Sequence, residues 1–302
     1  GKVKKSGLRK SDVQMMKSLA NAGATQQEVE VENDYGRVET CKVTILNKMN
    51  DDIVKDRIAS FFAYSGGQNE KAIAEGLRLG TMLGRKLQIR NEEKTLKTTR
   101  QSKGKIDKRL ISELGFDNTN VFEQLYVNRF KSVNLHLSVD ASGSMSGSKF
   151  DNTVKSVIAI CKAASMTKNI TVQVTFRGTV MRGSNACVGV MYDSKINNLK
   201  HILKYMTYVQ AGGLTPEGLC FNAISKLIQD SKSETNLFVN YSDGMPYSDK
   251  YFGDSAIRHT KKEVDKLRYN GFKVIAIMKG IQQNETFRLC MVGMLHSSNL
   301  LT

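Results

Sequence analysis

The sequence predicts an α/β protein with a doubly wound, mainly parallel sheet and a smaller, mainly helical region at its N-terminus. Apolar runs rich in β-branched residues alternate with segments of helical periodicity from residue 132 onward, and polar clusters containing Asp follow two of the apolar runs. Such alternation covers both faces of a sheet through right-handed crossovers. The 302 residues, 40% of them apolar, predict two domains: a helical or mixed region at 1–131 and the α/β domain at 132–302.

The C-terminal part supplies five strands with helices between them. The β-branched and apolar runs predict strands at residues 133–139, 170–176, 188–192, 236–241 and 272–278. Apolar residues at helical spacing predict helices at residues 151–166, 199–209, 219–227 and 257–269. Because ligands of open α/β sheets bind at the carboxyl ends of the strands, we expect the functional site there.

The N-terminal part has fewer recognisable elements. Its periodicity predicts helices at residues 51–62 and 70–87 and an exposed strand at residues 36–46. The second helix carries glycine at every fourth position, at Gly76, Gly80 and Gly84, which predicts close packing against another helix. Its many charged side chains argue against a helix pair inside a membrane.

Oxygen-bearing side chains follow the strand predicted at residues 133–139. Asp140, Ser142 and Ser144 occupy alternate positions, so one carboxylate and two hydroxyls can face a hard cation together. Thr215 precedes a proline suited to the first turn of a helix, and Asp243 follows the fourth predicted strand. We expect these three loops to converge at one edge of the sheet.

The D-x-S-x-S pattern, together with a Thr and an Asp from later loops, resembles the metal-ion-dependent adhesion site of von Willebrand factor A domains, which are Rossmann-like. The resemblance implies that Mg²⁺, or Mn²⁺ in its place, is held by Asp140, Ser142, Ser144, Thr215 and Asp243. It also implies that one coordination position stays open for a carboxylate from a partner. In the alternative interpretation, the serines cap the helix that begins near Ser148, and Asp140 or Asp243 closes an Asx turn.

A second resemblance extends over residues 70–302. The segments 76–87, 99–100, 104–110 and 120–122, with Ser-Asp-Gly-Met-Pro at 242–246, are similar to the C-terminal half of the CobT subunit of aerobic cobaltochelatase. The long acidic region of that family is missing, and the stretch before Thr215 is shorter. The resemblance implies an adaptor that joins a CobS-like AAA+ ATPase and a large CobN-like chelatase subunit. That machine inserts cobalt into a corrin ring in cobalamin biosynthesis, and a compact or virus-encoded relative could serve a related remodelling machine.

The net charge of +16 is spread over both parts, with 25 basic and 17 acidic residues before residue 132 and 20 and 12 after it. This positive charge raises the alternative that the chain is an RNA-binding A-domain protein of the Ro type. The basic window at residues 85–109 carries ten cations and three acids but has no aromatic side chain on which bases could stack. A solvated face or a contact with an acidic protein therefore explains this window better than nucleic acid.

Other features bound the class of protein. The sequence has no phosphate-binding G-x-x-x-x-G-K-[ST] loop and no evident pair of nucleophile and base. We therefore predict that this chain does not catalyse a reaction alone. It is a candidate subunit of an ATP-dependent cobaltochelatase. No apolar run has the length of a membrane span, and no leader marks secretion, which predicts a cytoplasmic location, in the host if the gene is viral. The five cysteines are scattered along the chain, which predicts reduced core thiols rather than disulfides or a zinc site: Cys41, Cys161, Cys187, Cys220 and Cys290. Reduced cysteines also disfavour an extracellular adhesion module.

Overall fold

The computed structural model describes residues 10–90, 94–128, 132–180, 185–229, 233, 235–243, 246–249 and 251–277. Its helices are α1 Lys10–Asn21, α2 Asp51–Lys55, α3 Glu70–Arg90, α4 Ser148–Ser165, α5 Leu199–Met206, α6 Glu217–Ile228 and α7 Gly253–Tyr269. Its strands are β1 Thr25–Glu32, β2 Val38–Leu46, β3 Lys94–Gln101, β4 Lys105–Ile106, β5 Phe122–Asn128, β6 Val133–Asp140, β7 Ile170–Thr179, β8 Ala186–Asp193, β9 Thr235–Tyr241 and β10 Phe272–Ile277. None of the helices in these ranges is both long and apolar enough to cross a membrane.

Seven strands form one mixed sheet in the order β1-β2-β8-β7-β6-β9-β10. The pairs β2/β8, β7/β6, β6/β9 and β9/β10 are parallel, whereas β1/β2 and β8/β7 are antiparallel. One core layer lies between the sheet and α3, α4 and α5, and a second lies beneath α6 and α7. The predicted α/β class and mainly parallel sheet are therefore confirmed. Every side chain of β6 is buried, as expected for a central strand covered on both faces.

The N-terminal region is mixed rather than mainly helical. Its β1–β2 hairpin extends the large sheet through the parallel pairing of β2 with β8, and a separate small sheet has the order β3-β5-β4. The strand expected to be exposed at residues 36–46 is instead half buried, because its second half lies inside the sheet. Strands from both sides of the boundary predicted at residue 131 thus share one sheet, and the division into two domains stays a prediction.

The helix predicted at residues 51–62 is shorter in the structure. α2 ends at Lys55, and Arg57 adopts a left-handed φ of 47°, which an α-helix cannot continue. The chain then runs as a buried connector in which Ala59 bridges to Val180 and Phe62 bridges to Val209. Its apolar residues fit a helix by spacing, but they fill the core from a non-helical segment with a turn at residues 60–61.

The glycine row of α3 packs directly on α4, as predicted. A Cβ atom at Gly76 would lie 2.7 Å from the backbone oxygen of Lys155, and one at Gly80 would lie 2.5 Å from the backbone oxygen of Ala159. A Cβ atom at Gly84 would lie 2.5 Å from the sulfur of Met166. These distances leave no room for a side chain, so glycine sets the separation of the two helices.

His136 lies at the centre of β6 and is fully buried. Its Nδ1 lies 3.1 Å from Gln173 Oε1, its Nε2 lies 3.0 Å from Thr175 Oγ1, and its ring stacks on Phe238. Burial lowers the pKa of His136 to about 4, although the hydrogen bond that Nδ1 donates to Gln173 Oε1 opposes this shift. The imidazole is therefore neutral in the folded protein over the physiological pH range.

We expect this buried histidine to make the fold sensitive to mild acid. The unfolded chain binds a proton near pH 6.5, whereas the folded chain binds it only near pH 4, so stability is complete above pH 6.5 and falls as the pH drops toward 4. At pH 5 the loss due to His136 is about 2 kcal/mol. Urea unfolding at pH 8 and pH 5 measures this loss of stability. The variant His136→Gln should lose about 2 kcal/mol less than the unmodified chain between these two pH values. Equal losses in the two proteins would contradict the assignment.

Candidate metal site

Three loops meet at the edge of the sheet where β6 and β9 end. These parallel strands are neighbours, with Val139 paired to Tyr241, so Asp140 and Ser242 lie side by side at their carboxyl ends. The first loop leaves β6 and forms a short 3₁₀ turn at Gly143–Met145. The second loop precedes α6, and the third follows β9. This is the edge at which the sequence predicts a site.

Backbone hydrogen bonds join the first loop to the second. The amide of Gly143 donates to the carbonyl of Gly213 at 3.1 Å, and the amide of Gly212 donates to the carbonyl of Ala141 at 2.7 Å. Gly213 adopts a φ of 88°, and a Cβ atom there would collide with the side chain of Ser60. Glycine is thus required at position 213 for the second loop to lie against the buried connector that contains Ser60.

The third loop is tied to both of the others. Thr215 and Tyr247 exchange backbone hydrogen bonds of 2.9 and 2.8 Å. The hydroxyl of Ser144 donates to Asp243 Oδ1 at 2.7 Å, and the hydroxyl of Ser242 donates to Asp140 Oδ2 at 3.3 Å. The structure therefore brings together the loops that carry all five predicted residues. Their binding of a metal stays a prediction.

The oxygen atoms at this edge form a chain of short contacts. The hydroxyls of Ser142 and Ser144 lie 3.0 Å apart, and the amide of Ser142 donates to Asp140 Oδ1 at 2.8 Å. Asp140 and Ser142 are almost completely buried, and Thr215 is 9% exposed. Burial raises the pKa of Asp140, although the positive charge of Arg177 opposes the shift.

This donor set fits Mg²⁺ or Mn²⁺. Two carboxylates and three hydroxyls offer only oxygen, the donor that these hard cations prefer, and they leave room for an exchangeable ligand. Within the described ranges no group of three His, Cys, Asp or Glu residues could hold a metal. A cation at this edge would thus depend on hydroxyls as well as carboxylates.

The alternative interpretation is met only in part. Asp140 does accept the amide of the residue two positions later, which is the hydrogen bond of an Asx turn. The serines, however, do not cap α4, because its N-cap is Gly147 and no side chain caps it. Ser142 and Ser144 instead face each other and Asp243. Helix capping therefore does not account for the two serines.

Sequence reasoning did not identify Lys149, which the structure places in the site. Its ammonium nitrogen lies 2.6 Å from Asp243 Oδ2 and donates to the backbone oxygen of Ser144 at 2.8 Å. The side chain of Lys149 is 30% exposed and that of Asp243 is 4% exposed. The available signal was weak, since a lysine in the first turn of a helix is usually solvated.

A buried ion pair beneath the site was also missed. Arg177 on β7 is paired in register with Asp140, and its Nη1 donates to Glu217 Oε1 at 3.0 Å. Its Nη2 donates to Asn240 Oδ1 at 2.8 Å and to the carbonyl of Tyr241 at 3.1 Å. Asn240 also donates to Glu217 at 2.8 Å. The signal was an arginine in an apolar strand, which in a buried position requires a partner.

No family model matches the sequence, and no curated protein matches it. Among solved structures, the PilB minor pilin from Streptococcus sanguinis is similar at 11% identity and a TM-score of 0.41, over 60% of this chain and 66% of that chain. The manganese-loaded TRAP protein of Plasmodium vivax is 19% identical, with a TM-score of 0.33 over 54% of this chain and 63% of that one. The vWF domain of the pili tip protein Mfa5 from Porphyromonas gingivalis is 14% identical, with a TM-score of 0.30 and 38% of each chain covered. This chain thus spans less than two thirds of each of these proteins. All three matches have identities below 20% and TM-scores below 0.5.

Proposed function

We propose that this chain is a non-catalytic, Mg²⁺-dependent adaptor of the von Willebrand factor A type that binds a carboxylate on a partner protein. The observation that carries the proposal is the convergence of three loops that bring Asp140, Ser142, Ser144, Thr215 and Asp243 to one edge of the sheet. A bound Mg²⁺ would supply a Lewis-acidic position to which a partner carboxylate can bind.

The ionisable groups around this edge favour binding over catalysis. The carboxylate of Asp243 is engaged by Ser144 and Lys149, and Arg177 and Glu217 are paired with each other beneath the site. The histidines of the described ranges have other partners. His136 contacts Gln173 and Thr175, His201 contacts Tyr205, and His259 contacts Tyr251. General acid–base catalysis needs a titrating group within hydrogen-bonding reach of the substrate, and no histidine of this part of the chain meets that need here.

Cysteine chemistry is also an unsuitable explanation for the function. In the described ranges Cys41, Cys161, Cys187 and Cys220 are buried and form no disulfide, and burial raises the pKa of the Cys220 thiol to about 12. Such thiols are poor nucleophiles and poor metal ligands. Cys290 lies outside the described residues. Free core thiols are typical of a reducing compartment, so a cytoplasmic location, in the host for a virus-encoded chain, is part of the proposal.

For the partner we propose a CobS-like AAA+ ATPase, with a large CobN-like chelatase subunit as the client of the complex. The support is the resemblance of residues 70–302 to CobT, whose glycine row at Gly76, Gly80 and Gly84 here sets the packing of α3 on α4. In that assignment ATP hydrolysis belongs to the ring, and this chain couples it to cobalt insertion into a corrin ring or to a related remodelling step.

Ser144→Ala tests this function, with Ser146→Ala as the matched control. Ser144 contacts Ser142 and Asp243, whereas the Ser146 hydroxyl donates only to the nearby carbonyl of Gly143. We expect Ser144→Ala to weaken binding to a purified AAA+ ATPase of the same genome about tenfold or more, as is typical for loss of a metal ligand or its close support. Ser146→Ala should bind within about twofold of the unmodified chain.

Biolayer interferometry at constant Mg²⁺ and ATP analogue measures this affinity, because removing Mg²⁺ would also affect nucleotide binding by the ring. The ring's own ATP hydrolysis should stay unchanged in the presence of either variant. Equal binding by Ser144→Ala and the unmodified chain would show that this edge of the sheet is not the contact. Turnover of nucleotide by the isolated chain would overturn the adaptor assignment.

Nucleic-acid binding by the basic window stays the untested alternative, and the structure offers little in its favour. Arg100 makes two hydrogen bonds of 2.9 and 3.0 Å to Glu113, and Arg109 pairs with Asp107. These local ion pairs reduce the charge available for phosphates. Binding of generic RNA with a steep dependence on salt would reveal that activity if it exists.

A further inference from the structure

We propose that Lys149 sets the balance between metal binding and ligand binding at this site. Its ammonium group competes with a divalent cation for Asp243 and, once the cation is bound, leaves a positive charge that favours a carboxylate ligand. The inference rests on the proposed function of the site and names the residue that tunes it.

The first support is the geometry at Asp243. Its Oδ2 lies 2.6 Å from the Lys149 nitrogen, and its Oδ1 accepts the hydroxyl of Ser144 at 2.7 Å. Both oxygens of this carboxylate are therefore engaged, and its side chain is 4% exposed. A cation that bound Asp243 directly would have to share or displace the ammonium group.

The second support is the position of Lys149 on its helix. It is the second residue of α4, an 18-residue helix whose N-terminal end carries partial positive charge. A lysine is unfavourable there unless an anion compensates it. Asp243 provides that anion, and the backbone oxygen of Ser144 accepts a further hydrogen bond at 2.8 Å. The first turn of α4 thus holds the ammonium group over the site although helix electrostatics oppose this.

The third support is the charge of the whole site. The carboxylates of Asp140 and Asp243 together cancel a divalent cation, and the buried Arg177 and Glu217 cancel each other. Lys149 then leaves one positive charge in excess, which an incoming carboxylate neutralises. Without Lys149 the loaded site would be neutral, and the same carboxylate would leave it with an uncompensated negative charge.

The two roles of Lys149 predict opposite effects of one substitution. Lys149→Met should bind a divalent cation more tightly, because the competing ammonium is gone. The loaded variant should bind a carboxylate more weakly, because the excess positive charge is gone. We expect each change to be about tenfold, the order that a single charge at this range produces in a partly solvated site. A merely structural lysine would not shift the two affinities in opposite directions.

Lys168→Met is the matched control, because Lys168 is exposed beyond the end of α4 and its loss changes the net charge equally. Lys149→Arg keeps the charge and should restore both affinities toward those of the unmodified chain. Lys149→Gln is a second neutral variant, for use if the methionine variant does not fold as judged by circular dichroism.

Mn²⁺ serves as the metal probe and acetate as the carboxylate probe. Electron paramagnetic resonance of free Mn²⁺ gives the metal affinity, and water-proton relaxation of the loaded protein reports the displacement of coordinated water by acetate. The expected result is tighter Mn²⁺ and weaker acetate binding in the neutral variants, with Lys168→Met unchanged. Equal or weaker Mn²⁺ binding in the neutral variants would overturn the proposed role of Lys149 but not the metal site. Absence of Mn²⁺ binding by the unmodified chain and every variant would overturn the metal site and this inference together.

Discussion

Arg177→Met is expected to lower the free energy of unfolding by about 3–5 kcal/mol, the usual effect of breaking a buried ion pair by removing one partner. The side chains of Arg177 and Glu217 are 2% and 8% exposed. Without the guanidinium, Glu217 keeps only the hydrogen bond from Asn240, and the carbonyl of Tyr241 loses a donor. Methionine has a similar length and fills the space above the ring of Phe221, so the loss reports charge and hydrogen bonding more than volume.

Equilibrium unfolding in urea at pH 7.5 without divalent cation measures this loss. The double variant Arg177→Met/Glu217→Gln is the control, because it also removes the charge of the carboxylate that pairs with the guanidinium. The double variant should lose less free energy of unfolding than Arg177→Met alone. The double-mutant cycle would then give a favourable coupling energy between Arg177 and Glu217. A loss below about 1 kcal/mol for the single variant would mean that water reaches Glu217 and the pair is not a buried one.

Asp140→Asn is expected to abolish stabilisation of the fold by Mg²⁺. A cation that binds only the folded chain raises the free energy of unfolding by about 2.7 kcal/mol at a hundredfold excess over its dissociation constant. Asparagine keeps the oxygen that accepts the amide of Ser142 but removes the charge that a divalent cation requires. Since burial raises the pKa of Asp140, the uncharged variant should fold at least as well as the unmodified chain in EDTA.

Thermal unfolding followed by circular dichroism, with EDTA or with increasing Mg²⁺ or Mn²⁺, measures this stabilisation. Asp151→Asn is the matched control, because Asp151 is an exposed residue in the first turn of α4 outside the site. It should retain the full rise of the midpoint with Mg²⁺. An unmodified chain whose midpoint is the same in EDTA and in Mg²⁺ would refute the metal assignment, whatever the variant does.

The positions that local sequence predicted well are those where periodicity and strand ends decide the structure. The strand before Asp140, the strand before Asp243 and the helix that follows Ser148 all form where apolar spacing predicts them. Parallel neighbours end at the same edge of a sheet, so the convergence of these loops follows from the order of elements alone. The glycine row of α3 was equally legible, since three glycines on one helix face have few explanations other than close approach.

Only the tertiary structure decided the features that depend on residues far apart in the chain. Nothing local to residues 25–46 indicates that the β1–β2 hairpin pairs with β8. The apolar connector after Lys55 has helical spacing, but its buried path is not helical. Lys149 and Asp243 are 94 positions apart, and Arg177 and Glu217 are 40 positions apart. A charged side chain carries no sign of its partner in its own neighbourhood. The sequence by itself therefore determined the fold class and the oxygen-bearing side chains that gather at the sheet edge, whereas packing determined which basic side chains pair with the carboxylates there.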